Sequence, residues 1–476
     1  MFAALLIIFD ILIIAASFYF WYESIREKEK RAPMTGMAGA ISGLVLLVLI
    51  ILIPGFRIYI AVIFCFTAGF GLLCLIPFKQ NQRALKGSFG FITGKPKKID
   101  ERDIVFARNR CLIPGSDIYK RYYRAHPEKE EADAKRRSMG THALGKPGSI
   151  DNCYRPNNSM VMAGFQFPMY LAKHAKPEFG AHPAPDPASK MIDPRKGSEI
   201  IKGFAKLLGA SLVGICKVNS LWSYSHRGEI FFENWEDWGK ELDASLPWAV
   251  VIATEMDHEL VGAGPHTPAI VESGHKYAKG AYITTILAHW FSAMGFKAVA
   301  DHHRHYTKLM VPLAVDAGLG ELGRQGYLIA KKYGPRVRLF AVTTDMPLVP
   351  DQPIDMGAED FCKRCLKCAE ACPSKSIPTG EKTNINGIKR WKLNEESCFK
   401  YWAKIGTDCS ICMGICPFSR PDTLLHRIVK LIIARSRLAR LFFPYIDNII
   451  YGKKWHTKSV SSWIDYKNQY GMKNEI

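Results

Sequence analysis

The sequence predicts a mixed α/β (α+β) catalytic unit, preceded by three transmembrane helices and followed by a small cysteine-rich domain. Three observations carry this. Apolar runs occupy 2–22, 37–53 and 58–78. From residue 198, short buried-strand patterns alternate with helical ones. Eight of the 13 cysteines fall between Cys362 and Cys416. The implied organisation is a three-helix anchor at 1–78, a loop-rich N-terminal part of the catalytic unit at 79–197 and a core at 198–350. A cysteine-rich domain at 351–420 and a C-terminal helix and tail packing on the core at 421–476 complete it.

Each apolar run is about one bilayer thickness of helix, roughly 20 residues. The first has no basic residue before it and no small-residue cleavage site, so it reads as a retained anchor rather than a signal peptide. No twin-arginine pair precedes it; Arg136-Arg137 lies far downstream, and no apolar run follows it. The loop after the first run holds Arg26, Lys28, Lys30 and Arg31, whereas the turn between the second and third holds only Arg57. Lys79, Arg83, Lys86, Lys95, Lys97 and Lys98 follow the third. Basic residues gather on the cytoplasmic side of membrane proteins. The expectation is a multi-pass protein of the cytoplasmic membrane with its catalytic part on the cytoplasmic face. Asp10, inside the first run, is either functional or satisfied by a polar partner in the bundle.

The 476 residues carry a formal charge of +20, nearly all of it beyond the anchor. Such a balance suits an anionic membrane surface, an anionic cofactor or nucleic acid, and the apolar N-terminus favours the membrane. Strands are expected at 211–217, 248–254 and 337–343, and helices at 202–208 and 276–294. Residues 128–137 read as a solvated helix between loops. Residues 423–443, with Arg427, Lys430, Arg435, Arg437 and Arg440, read as one basic amphipathic helix, either packed on the core or touching lipid headgroups. There is no solenoid repeat.

The strongest signal is Cys362-x2-Cys365-x2-Cys368-x3-Cys372-Pro373, followed by Cys398 and then Cys409-x2-Cys412-x3-Cys416-Pro417. Three thiolates at the first spacing wrap one cubane, and the cysteine before proline reaches the neighbouring one. Cys362, Cys365, Cys368 and Cys416 would then hold one [4Fe–4S] cluster, and Cys372, Cys398, Cys409 and Cys412 the other. This is the bacterial 2[4Fe-4S] ferredoxin-like pattern. Zinc is the other use of clustered cysteines, but two sets each closing on Cys-Pro point to cubanes. Cys65, Cys74, Cys111, Cys153 and Cys216 read as structural.

Upstream, Val311-Pro-Leu-Ala-Val-Asp-Ala-Gly-Leu-Gly-Glu-Leu-Gly-Arg-Gln-Gly326 runs into Tyr333-Gly-Pro-Arg-Val-Arg338 and Thr343-Thr-Asp-Met-Pro-Leu348, then into the cysteine motif. This stretch resembles the corrinoid-dependent iron–sulfur reductive dehalogenases, and the likeness extends over about residues 195–465. The resemblance implies a nitroreductase-like core binding base-off cobalamin, fed by two [4Fe–4S] clusters, that replaces carbon–halogen by carbon–hydrogen in an organic substrate. It implies Tyr277 as proton donor, at the start of the helix that ends in Met294-Gly295, with Tyr282 as the competing position. Arg338 would stabilise the phenolate. Gly318, Gly320, Gly323 and Gly326 would let the backbone approach the corrinoid. His303, in Asp301-His-His-Arg-His305, falls in the family's pocket-lining loop as a further cofactor-binding candidate; a metal site or a solvated loop are its alternatives. Trp222 and Tyr224 would line the substrate channel or pack in the core. Electrons would come from the quinone pool or a ferredoxin-type donor.

Two departures stand out. Classical respiratory members carry a twin-arginine signal and rely on a separate membrane subunit, whereas this chain has its own spans. Two rivals remain at this level. An epoxyqueuosine-reductase-like enzyme on tRNA would explain the charge but not the anchor, and nucleic acid is not expected as a partner. A membrane ferredoxin would bind iron and no cobalt.

Overall fold

Long apolar runs and a central set of β-branched stretches organise the chain. The computed structural model describes residues 2–77, 80–139, 155–177, 192–230, 235–243 and 245–465. Lys79 and Cys153 lie outside the described residues. Three helices, Phe2–Arg26, Ala32–Leu52 and Arg57–Leu75, are long and apolar enough to cross a membrane. Their outer faces leave large apolar side chains uncovered, with Phe66 77% and Leu52 71% exposed, as expected of a surface meant for lipid. The first two pack closely because small residues line the contact: a Cβ at Gly36 would stand 2.9 Å from the Trp21 backbone, and one at Gly43 2.5 Å from Ile14. Asp10 is fully buried, and neither carboxylate oxygen meets a hydrogen-bond partner among the described residues.

The core sheet has four antiparallel strands in the order Leu212–Lys217, Trp248–Glu255, Val337–Thr344, Ala298–Asp301. The two central strands are buried on both faces, and their side chains alternate between two cores. Val250, Ile252, Phe340 and Val342 meet Ile283, Leu287 and Phe291 of the helix Thr267–Ala293. Ala249, Val251, Ala253 and Ala341 meet Leu313, Ala314 and Val315 of the helix Met310–Asp316. Gly280 lets the long helix lie on the sheet, since a Cβ there would stand 2.2 Å from the Phe340 ring.

Three expectations shift. The strand Ala298–Asp301 is additional. The helix containing Tyr277 begins at Thr267, so Tyr277 sits in its third turn rather than at its start. Pro268 at its beginning and Gly274 inside it disguise those turns, although proline suits the first helical position. The C-terminal amphipathic segment is two helices, Leu424–Arg435 and Arg437–Tyr451. Ser436 leaves helical geometry between them, and its hydroxyl accepts the Ala439 amide at 3.3 Å. Arg440 is buried there, donating to Ile433 O at 2.9 Å and pairing with Asp360 at 3.1 Å, so this cation is structural.

The helix Pro127–Ser138, expected to be solvated, has a buried face. Asp133 accepts from Arg108 at 2.8 Å and from Arg136 at 2.7 Å. Both arginines also reach Glu396, on the helix Glu395–Ile405 that carries Cys398. The loop-rich segment thereby clamps one cysteine-bearing helix. A second polar network ties the anchor to the rest. Glu27 pairs with His426 at 2.7 Å. Glu29 pairs with Arg420 at 3.1 Å and Lys458 at 2.8 Å. Burial pushes the Glu29 carboxyl up, but Arg420 and Lys458 outweigh it and hold the group below its ordinary range.

Candidate active site

The cysteines fall into two groups. Cys372, Cys398, Cys409 and Cys412 line one small cavity. Cys416 lies instead with the first three: burial, then Cys362, Cys365 and Cys368, push its thiol far above the usual range. The grouping is the crossed one. Among the described residues no three His, Cys, Asp or Glu side chains stand together as a single-ion site; a cubane makes a different demand, since its ligands surround a whole cluster. The two halves repeat each other. Leu366, after Cys365, and Ser410, after Cys409, both have φ of 53°, a left-handed conformation that costs a side-chain-bearing residue roughly 1–2 kcal/mol.

The Glu-Leu-Gly-Arg stretch docks the core onto this domain. Glu321 accepts the amides of Gly357 at 3.1 Å and Glu359 at 2.9 Å, and that of Met356, at the start of the helix Ala358–Cys365. Burial, partly opposed by these amides, pushes its carboxyl up to about 7. Arg324 donates to the carbonyls of Cys362 at 3.0 Å and of Pro378 and Gly380 at 2.8 Å. The glycines between are accounted for by packing. A Cβ at Gly318 would meet Gln352 O at 2.4 Å, at Gly320 Ile329 O at 2.1 Å, and at Gly323 the Ile329 side chain at 2.8 Å. Only Gly326 of the four lines the large cavity.

That cavity, of about 420 Å³, lies between the sheet and the cysteine domain. Tyr277 and Arg338 both line it, as do Trp222, Tyr224, Tyr306 and Tyr327. The long helix presents Tyr277 and the central strand presents Arg338, whose guanidinium carbon stands 5.1 Å from the Tyr277 ring centre. His303 stacks on Tyr277 with ring centres 4.2 Å apart, and Phe165 packs at 5.6 Å. Tyr282 is 43% exposed and does not line the cavity. Arg338 donates to the Ser273 hydroxyl at 2.6 Å and lies 3.8 Å from the Asp408 carboxylate; the Ser273 hydroxyl and Asp408 are 3.0 Å apart. Burial alone would favour neutral Arg338, but Tyr277 and Asp408 prevail and raise it further. Asp408 is itself pushed up by burial, against Arg338 and Ser273.

The three histidines of the loop are neutral imidazoles. Burial pushes His302 down to about 4 and His303 and His305 well below the usual range. His302 Nδ1 bonds the His303 carbonyl and His305 Nδ1 the Ala300 carbonyl, both at 2.8 Å. The Nε2 atoms of His302 and His303 are buried with no partner among the described residues.

Sequence reasoning missed Ser273, Asp408, Tyr306, Tyr327 and Met413. Ser273 lies one helical turn before Tyr277, and Asp408 immediately precedes Cys409; those were the available signals. Tyr327, Arg338 and Met413 line both the large cavity and the cysteine cavity, so one wall separates the two.

Comparison with known proteins agrees with this arrangement. Residues 361–419 match the family model for a 4Fe-4S dicluster domain. The tetrachloroethene reductive dehalogenase of Sulfurospirillum multivorans is 31% identical over 313 residues, which cover 59% of this chain and 61% of that protein. A solved reductive dehalogenase, described in terms of B12-dependent dehalogenation, superposes with a TM-score of 0.61 at 24% identity, covering 78% of this chain and 50% of the other. An epoxyqueuosine reductase of Lactococcus garvieae is 30% identical over only 115 residues, 23% of this chain. The chain thus spans about six-tenths of the length of its Sulfurospirillum relative and half that of the solved structure. A paired-cysteine domain docked on a four-stranded core is the part of this chain that is similar to the reductive dehalogenases.

Proposed function

We propose that this chain is a membrane-anchored reductive dehalogenase whose active site is the 420 Å³ cavity. The observation that carries the reading is the contact of Tyr277 with Arg338 in a cavity that shares a wall with four cysteines. The net reaction takes an organic halide, two electrons and one proton to a carbon–hydrogen bond and a halide ion.

The cavity suits a corrinoid. Its walls are mainly aromatic and aliphatic, and Arg338, which lines it, has a buried Nε with no partner among the described residues. Gly326, Tyr327 and Met413 would hold the macrocycle against the cysteine wall. When bound, the cobalamin supplies a strongly reducing cobalt centre at which the carbon–halogen bond is opened. Cys372, Cys398, Cys409 and Cys412 would hold the nearer [4Fe–4S] cluster, and Cys362, Cys365, Cys368 and Cys416 the farther one.

The Tyr277 hydroxyl delivers the proton to carbon. Arg338 carries the counter-charge for the phenolate left behind, and Ser273 and Asp408 fix the guanidinium. His303 and Phe165 hold the tyrosine ring on its other sides. The aromatic lining keeps water from competing as proton source. The three apolar helices and their flanking lysines and arginines support a multi-pass anchor with the catalytic part on the cytoplasmic face.

The test is anaerobic reconstitution of the full chain with iron, sulfide and cobalamin, followed by turnover with titanium(III) citrate. About eight irons and one cobalt per chain are expected, with halide release from tetrachloroethene or 3-bromo-4-hydroxybenzoate. Iron without cobalt uptake would leave only an electron carrier. Halide release from neither probe, in cobalt-loaded protein, would remove the dehalogenase reading.

A further inference from the structure

A second cavity, of about 310 Å³, has no part in the chemistry above. Its walls are almost wholly apolar. Phe20 comes from the last turns of the first membrane helix, and Val429 and Ile450 come from the two C-terminal helices. Phe361 and Pro417 close the inner end. Each is the chain neighbour of a cysteine of the farther group, Cys362 and Cys416 respectively, and Phe361 packs in one core with Cys365 and Cys416. The cavity therefore reaches from the end of a membrane helix to the wall of a cluster site.

Three of its charged lining residues are engaged elsewhere: Arg420 pairs with Glu29 at 3.1 Å and with Asp447 at 3.0 Å, and Lys430 donates to the Lys332 carbonyl at 2.7 Å. His426 lines the cavity and its Nε2 lies 2.7 Å from a carboxylate oxygen of Glu27, which does not itself line it; both residues are buried, and the other oxygen of Glu27 has no partner among the described residues. A phospholipid chain would fill apolar space but would need neither an acid–base pair nor a redox neighbour. A flat, apolar, two-electron carrier dissolved in the membrane needs both.

We infer that this cavity is a quinol-oxidation site: a membrane quinol binds between Phe20, Val429 and Ile450, with a hydroxyl at the His426–Glu27 pair and its ring against Phe361 and Pro417. The inference rests on the reading of the cysteines as cluster ligands and chooses the quinone pool over a ferredoxin-type donor. One quinol becomes one quinone and loses two electrons and two protons. The electrons pass singly to the farther cluster and on to the nearer one, leaving each reduced by one. The first proton passes to the His426–Glu27 pair, and both leave to bulk water.

The reaction is most cleanly followed backwards. Full-length, cluster-loaded protein in nanodiscs is reduced with dithionite, freed of excess reductant and mixed with menadione. Cluster oxidation is compared with that by ferricyanide, a hydrophilic oxidant that needs no apolar site. The menadione rate should saturate. In Val429→Trp and in Ile450→Trp, which fill the cavity from different helices, the menadione-to-ferricyanide ratio should fall at least tenfold. An unchanged ratio in both, or a rate that never saturates, overturns the proposal. So does a co-purifying phospholipid that menadione does not displace. Should the variants lose iron, an azidoquinone photolabel on the unaltered protein decides: label on Phe20, Phe361, Pro417, Leu424–Arg435 or Arg437–Tyr451 supports the site, and label elsewhere overturns it. Turnover with titanium(III) citrate bypasses the cavity, so failure here and failure of the dehalogenase reading give different results.

Discussion

The two cysteine groups share a backbone plan and differ in what they face. Both halves use a left-handed residue after the second cysteine (Cys365, Cys409), a short helix and a closing Cys-Pro. The group closed by Cys416 packs on Phe361, Phe418 and Ile433, towards the anchor. The group of Cys372, Cys398, Cys409 and Cys412 shares its wall with the Tyr277 cavity. The second half is the one with the longer spacer, 399–408, and that spacer ends in Asp408, which reaches Arg338. On the proposed electron path the half facing the anchor is an entrance side and the half facing Tyr277 an exit side, and the two differ in a loop rather than in their cysteines.

The largest expected effect is on the exit side. Tyr277→Phe should lower turnover by about 10²–10⁴-fold, the usual weight of a positioned acid, while iron and cobalt content stay the same; retained turnover in a cofactor-loaded variant would take Tyr277 out of the mechanism. Asp133→Ala removes the carboxylate between two buried arginines that also grip Glu396. Breaking such a site costs about 3–5 kcal/mol, and the loss should fall on the helix that carries Cys398. Iron per chain should drop towards that of one cubane, and equal loss of both clusters would show that the halves are not separable. Asp408→Asn should reduce kcat about tenfold, or roughly 1.4 kcal/mol, with little change in KM, because Arg338 keeps Ser273 but loses its counter-charge.

The smallest effect concerns the entrance side. Glu321 titrates near pH 7 in the folded protein, against 4.5 as its ordinary value. Between these values the folded state binds more protons than the unfolded one, so stability falls as pH rises through that window and levels off above it. In Glu321→Gln the thermal midpoint should fall less steeply from pH 5 to 7. An identical slope would place the titration elsewhere.

The grouping of the cysteines was legible because it is local: spacing along the chain decides which of them can stand together. The three longer strands of the sheet were legible for the same reason, as runs of apolar residues at 212–217, 248–255 and 337–344. Ala298–Asp301 is four residues long and merges into a polar loop, so periodicity had nothing to measure. Tyr277 and Arg338 came from a resemblance, and the structure brings them into contact. Ser273 and Asp408 are 135 positions apart and meet only through docking of the cluster domain. The glycine-rich stretch misled in the other direction. The expected approach was to a corrinoid, whereas the neighbours that a Cβ at Gly318, Gly320 and Gly323 would meet are the chain's own backbone and Ile329.

Glu27 and Glu29 follow directly on the first membrane helix, yet their partners His426, Arg420 and Lys458 belong to the far end of the chain. The anchor is therefore a keystone and not a leash. Cutting it away would leave Lys458 and the His426 imidazole without their carboxylates and Arg420 with Asp447 alone, so a trimmed protein that lost iron would report on the cut rather than on the chemistry.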